Sequence, residues 1–183
     1  MSDLKLLTIS GSLRKASTNR KLAAEAARRF GPADVTIADI VFPVYDGDLE
    51  DQSGIPPEVQ TLADQIAEAD AVVVSTPEYN KGISGVLKNA LDWVSRTEGN
   101  PWRDKPVALM SATAGRAGGE RTQNMARLCL TPFRPYLLPG PEVLVGNTSK
   151  QWDENDRLTD EFAIKLLTEL VEDLRAAAEA RQR

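Results

Sequence analysis

The sequence predicts a three-layer α/β sandwich, because short apolar runs and amphipathic helical patterns alternate five times along its 183 residues. Strands that alternate with helices pair in parallel through right-handed crossovers, which leaves helices on both faces of one sheet. Two polar, glycine-containing loops follow the first and third apolar runs, at the carboxyl ends of strands, where open α/β sheets bind ligands.

The elements follow in order. Leu4 to Ser10 is a nearly continuous apolar run closed by Gly11, the pattern of a buried strand and its exit. Asn19 to Phe30 carries an Ala-rich helical pattern that stops at Gly31-Pro32. Val35 to Ile40 alternates as a second strand, Val41 to Pro57 is a long connection punctuated by Asp, Gly and Pro, and Glu58 to Ala69 resumes as a helix. Ala71 to Ser75 is the third strand and Gly85 to Arg96 its helix; Pro106 to Ser111 is the fourth strand, followed by a helix from Gly119 to Leu130. A fifth strand fits Glu142 to Val145. From Asp160 to about Ala180, residues Phe162, Leu166, Leu167, Leu170, Val171 and Leu174 recur at helical spacing, with Thr159 in the N-cap position, so this helix should close one face of the sheet. No linker or repeat divides the chain, which reads as one domain over residues 1–183.

Composition narrows the chemistry. A chain of this length with 42% hydrophobic residues should bury roughly 70% of its unfolded surface around a single core. No apolar run approaches the roughly 20 residues that span a bilayer, and the amino terminus enters a strand pattern without a basic, signal-like start, so a cytoplasmic protein without membrane insertion is expected. The single Cys129 excludes an internal disulfide, and the absence of His removes Ser-His and Cys-His nucleophile pairs and His-based zinc sites; no metal ligand set is expected. Without a Cys-x-x-Cys pair, redox activity would have to come from a cofactor. A net charge of −5 with no cluster of Lys and Arg argues against nucleic acid as a partner.

In Gly11-Ser12-Leu13-Arg14-Lys15-Ala16-Ser17-Thr18-Asn19 the glycine permits a tight exit from the first strand, and hydroxyl and amide side chains surround a helix start. Unpaired N–H groups and the positive dipole end there favour a dianion, to which Arg14 adds a bidentate fork. The loop lacks the glycine spacing of a triphosphate or dinucleotide site, although Asp39, at the expected end of the second strand, keeps a ribose-binding acid and hence a dinucleotide fold open as a rival. The plainer alternative makes Ser17, Thr18 and Asn19 simple capping residues and Arg14 a solvated charge. After the third strand comes Pro77-Glu78-Tyr79-Asn80-Lys81-Gly82-Ile83-Ser84-Gly85. Pro77 restricts both itself and Thr76, so Glu78, Tyr79 and Asn80 sit in a rigid turn whose backbone can meet a flat heterocycle while Tyr79 supplies an apolar wall. An ordinary Pro turn is the alternative. A third loop, Ser111 to Gly119, is built of small residues that allow close approach to a ligand, or simply make a turn before a helix.

Read together, the first two loops resemble those of the NADPH-dependent FMN reductase family of flavodoxin-like proteins, which includes quinone, chromate and azo-dye reductases. The resemblance runs from about Leu4 to Val145 and implies strand order 2-1-3-4-5. It implies FMN as cofactor, with Ser12, Arg14, Ser17 and Asn19 at the phosphate and Pro77, Glu78, Tyr79 and Asn80 at the ring. In the third loop the hydroxyl residue beside the flavin corresponds best to Thr113, with Ser111 and Gly115 as neighbours; Arg116 departs from the apolar residue expected there.

The activity so implied is hydride transfer from NADPH or NADH through bound FMN to a small-molecule electron acceptor, with no catalytic side chain required. Members usually form homodimers, often paired into tetramers. The helix after Gly85 is consistent with this, since Val86, Leu87, Ala90, Leu91, Trp93 and Val94 cover an arc of about 160°. Trp102 and Trp152 would either cap a neighbour's pocket or cover core edges. Two other classes stay open: a flavodoxin-like electron carrier that makes no use of NADPH, and a flavin-binding regulatory module acting through the 41–57 connection.

Overall fold

The structure, a computed structural model, describes residues 4–182. Five positions of one parallel sheet are filled in the order β2-β1-β3-β4-β5 by β1 (Leu4–Ser10), β2 (Ala33–Ile37), β3 (Ala71–Thr76), β4 (Pro106–Ala112) and β5 (Tyr136–Leu137), with β6 (Val143–Val145) also on β4. This is the flavodoxin-like order that the resemblance implied. Helices α1 (Thr18–Phe30) and α6 (Glu161–Arg181) pack on one face, with Leu22, Ala26, Leu167 and Leu170 against Leu6, Val73 and Met110. Helices α3 (Pro57–Glu68) and α4 (Gly85–Val94), with the end of α5 (Glu120–Leu130), cover the other face over Leu7, Ile9, Val72, Val74 and Leu109. Every residue of β3 and β4 is buried, which is why these strands read as unbroken apolar runs.

Several boundaries differ from the sequence reading. The second strand ends at Ile37; Ala38 still donates to Thr8 O at 2.9 Å, after which the Asp39 carboxylate folds back onto the Val41 N–H at 3.0 Å. Asp39 therefore follows the last sheet bond of this strand directly, with its carboxylate taken up by the Val41 N–H. The fifth sheet position is split: β5 pairs with Pro106 and Val107, β6 pairs with Met110 to Ala112, and Pro139 and Pro141, which have no N–H to donate, lie between them. Asp160, not Thr159, caps α6, its carboxylate accepting from Ala163 N at 2.7 Å. Phe162 is 70% exposed and lies outside the buried stripe.

The 41–57 connection contains a further helix, α2 (Gly47–Ser53), capped by Asp46. It is strapped across α4. The Asn89 carboxamide accepts from Tyr45 N at 2.8 Å and donates to Pro43 O at 2.9 Å, the Trp93 indole donates to the same carbonyl at 2.8 Å, and the Tyr45 ring stands edge-on to Trp93 at 5.0 Å. Tyr45 and Arg96 both bond the Glu50 carboxylate at 2.9 Å. The broad apolar arc of α4 is thereby largely used within its own subunit, with Val86 alone among its six residues left partly exposed. Trp102, packed near Phe133, and Trp152, half-buried beside the α1/α6 core, cover core edges.

Candidate functional site

The carboxyl ends of β1, β3 and β4 open onto a cavity of about 570 Å³. Its position between the first and third strands is the place where neighbouring crossovers diverge to opposite faces of the sheet.

The first wall comes from the loop after β1. Gly11 N–H bonds Ser75 O at 2.8 Å, and a Cβ on Gly11 would come within 3.1–3.3 Å of Ser84 Oγ, Pro77 Cδ and Thr76 Oγ1. Glycine at this point lets the two signature loops close on each other. The closure is pinned by Ser84 Oγ, which donates to Gly11 O at 2.6 Å and caps α4. Ser12, Arg14, Ser17, Thr18 and Asn19 all line the cavity. Ser17 caps α1 by accepting from Asn19 N and Arg20 N, while the N–H groups of Lys15, Ala16 and Thr18 have no partner among the described residues. Asn19 is buried and mostly committed to the protein: Oδ1 accepts from Ser75 Oγ at 2.9 Å and Ala112 N at 3.0 Å, and Nδ2 donates to Ala112 O at 2.9 Å. One of its amide N–H bonds is left for a ligand.

The second wall is Pro77, Glu78 and Tyr79. Asn80 and Lys81 take φ of 51° and 67° at the centre of a tight turn closed by Tyr79 N to Gly82 O and Gly82 N to Tyr79 O, both at 3.0 Å, the pattern of a type I′ turn. This corrects two expectations. The Tyr79 N–H is used within the turn, and Asn80 is exposed and does not line the cavity. The Tyr79 side chain, half exposed, stands at the mouth. Glu78 turns its carboxylate toward the start of α5, accepting from Thr122 N at 3.4 Å with the Arg121 guanidinium at 4.0 Å. The α5 N-cap, Gly119, has no side chain to offer, so an acid from another loop serves that end of the helix.

The third wall is Ala112, Thr113, Ala114 and Gly115. Thr113 N–H bonds Val145 O at 2.9 Å and its hydroxyl donates to Gly115 O at 3.2 Å. Ser111 does not reach the cavity: it is fully buried, donating to Gly118 O at 2.6 Å and accepting from Gln123 Nε2 at 2.9 Å. It shapes the loop from beneath. Arg116 is exposed and lies outside the cavity, as does Lys15.

A fourth wall, Thr148 and Ser149, was not anticipated. Asn147 N to Gly115 O at 3.2 Å and Thr148 N to Thr113 O at 3.3 Å dock it onto the third loop. The cue was the hydroxyl pair in Gly146-Asn147-Thr148-Ser149 directly after a strand end.

One end of the cavity thus gathers hydroxyls, the Arg14 guanidinium and free N–H groups at a helix start, the donor set for a phosphate. The other end is walled by proline, alanine, glycine and a tyrosine ring, which suits a flat ring system. These residues fit FMN.

Known proteins resemble this chain over most of its length. The family model described as NADPH-dependent FMN reductase matches residues 4–150. An NAD(P)H-dependent FMN reductase of Pseudomonas aeruginosa is 39% identical over 94% of each chain. A quinone reductase of Escherichia coli is 37% identical over 90% of each chain. Among solved structures, FerB, a flavoenzyme NAD(P)H:(acceptor) oxidoreductase from Paracoccus denitrificans, superposes with a TM-score of 0.86 at 29% identity, covering 97% of this chain and 98% of that one.

Proposed function

The chain belongs to the NADPH-dependent FMN reductase family, and from that premise we propose that it is an FMN-dependent NAD(P)H oxidoreductase whose small-molecule acceptor is a quinone. Azo compounds, free flavin and oxidised metal ions such as chromate are further acceptors under the same proposal. The observation that carries it is a single cavity with a phosphate-binding helix start at one end and a flat, small-residue wall at the other.

In this reading Ser12, Arg14, Ser17 and the free N–H groups before α1 hold the FMN phosphate, joined by the remaining N–H of Asn19. Pro77, Glu78, Tyr79, Thr113 and Gly115 face the ring, and Thr148 and Ser149 close the side. FMN held there supplies a two-electron centre that accepts a hydride from NADPH or NADH and returns the electrons to the acceptor. The chain's own part is to orient the ring and to keep its open face reachable past Tyr79, so that two substrates meet it in turn. Glu78 is engaged with Thr122 and Arg121 and serves placement, not proton transfer.

The proposal includes a homodimer or tetramer, supported by Val44, 82% exposed beside the uncovered flank of α4 at Val86. A single domain over residues 1–183 and a cytoplasmic location belong to it too; no helix among the described residues is long and apolar enough to cross a membrane. The test is a visible spectrum of the purified protein with FMN, followed anaerobically by NADPH. Bleaching of bound flavin is the expected result. Bound flavin that stays oxidised points to an electron carrier or a regulatory module, and absence of binding overturns the reading.

A further inference from the structure

We propose that Thr122, on α5 and outside both signature loops, is the positioning residue that aims the Pro77-Glu78-Tyr79 turn at the flavin ring; the inference rests on the function proposed above. Thr122 is fully buried and holds the turn twice. Its hydroxyl donates to Pro77 O at 3.0 Å, and its N–H donates to the Glu78 carboxylate at 3.4 Å. The far end of the turn is fixed separately, through Ser84 Oγ on Gly11 O at 2.6 Å. Between these anchors the turn's own pair of Tyr79–Gly82 bonds shapes it without orienting it against the sheet, and the exposed Arg121 guanidinium stands 4.0 Å from the Glu78 carboxylate.

Thr122 therefore sets the pitch of the wall that meets the ring. Thr113 and Gly115, on the opposite wall, are set independently through Val145 and Asn147. The carbonyl of Pro77 keeps one weaker local partner, Thr76 Oγ1 at 3.1 Å, so loss of the Thr122 hydroxyl should loosen the turn without releasing it. A displaced wall would change the surroundings of a bound flavin ring and leave the phosphate end as it was.

That separation gives the experiment. FMN and riboflavin, which share the ring and differ in the phosphate, are titrated by fluorescence against wild type, Thr122→Val and Thr122→Ser, and the absorption spectrum and midpoint potential of bound FMN are recorded. Thr122→Val keeps the volume and removes the donor. The expected result is a loss of about three- to tenfold in affinity for both flavins equally, with a shifted bound-flavin spectrum and potential, and recovery in Thr122→Ser. A lowered unfolding temperature with unchanged affinity, spectrum and potential overturns the proposal, because Thr122 would then serve only the fold. Weaker FMN with unaltered riboflavin also overturns it, since the effect would run through the phosphate loop. If Thr122→Val does not fold, Thr122→Cys, a weaker donor of similar volume, carries the same test. Failure of wild type to bind either flavin removes the functional reading itself, and this inference with it.

Discussion

The carboxamide of Asn19 holds both main-chain groups of Ala112, accepting from its N–H at 3.0 Å and donating to its carbonyl at 2.9 Å. The first turn of α1 is thus locked to the end of β4, and through the Ser75 hydroxyl to the end of β3 as well. Three walls of the cavity share one hub.

Replacing that hub should be costly. Asn19→Ala leaves a buried hydroxyl and two buried backbone groups without partners, and we expect a loss of about 2–4 kcal/mol in unfolding free energy. Urea denaturation of the flavin-free protein measures it, and a loss below the cost of a single hydrogen bond would contradict the hub.

Arg14 should discriminate between flavins. Arg14→Ala is expected to weaken FMN by about 10- to 100-fold, the scale of a charge-assisted phosphate contact, while riboflavin affinity stays within about twofold. Parallel fluorescence titrations check the difference, and equal losses would move Arg14 away from the phosphate.

Gly118 tolerates no side chain. It has φ of 64°, and a Cβ there would lie 2.5 Å from the carbonyl of Leu144, a backbone group that cannot swing aside. Gly118→Ala is predicted to lower stability by at least about 2 kcal/mol, from the left-handed backbone and the clash combined. Thermal unfolding reads this directly.

Acid should weaken the strap over α4. The Arg96 guanidinium, helped by the Tyr45 hydroxyl, holds the Glu50 carboxyl below its ordinary value despite the opposing effect of burial. A carboxyl whose folded value is depressed contributes stability that is complete above the ordinary carboxylate range and is lost as pH falls through the folded value. Glu50→Gln should therefore unfold at a temperature that varies less with pH in the acid range than wild type does. Parallel slopes from neutral pH downward would show that the network contributes nothing.

How much was legible depended on the range of the interactions involved. Strands β1, β3 and β4 and helices α1 and α6 were readable because each carries its burial pattern within one stretch of chain. The two-residue β5 has no period to detect, and α2 is polar, held by Asp46 and by contacts with α4. Within the site, Ser12, Arg14, Ser17, Pro77, Glu78 and Tyr79 belong to loops whose chemistry is local. Ser111 was misjudged because whether a hydroxyl at a strand end meets a ligand or a neighbouring helix depends on Gln123, twelve residues on. Thr122 is recruited by tertiary contacts that leave no local pattern, and Thr148 and Ser149 leave only a hydroxyl pair after a strand end, a cue too common to single them out.

The split fifth strand bears on what the edge of the sheet can accept. Between β5 and β6 the edge of the sheet is broken by two prolines, and beside it the Arg181 guanidinium lies 4.2 Å over the Tyr136 ring. A neighbouring strand approaching this side would meet no continuous ladder of donors and acceptors, only two or three residues at a time at shifted heights. That flank is closed to sheet extension, which protects it against fibre-like stacking of strand on strand.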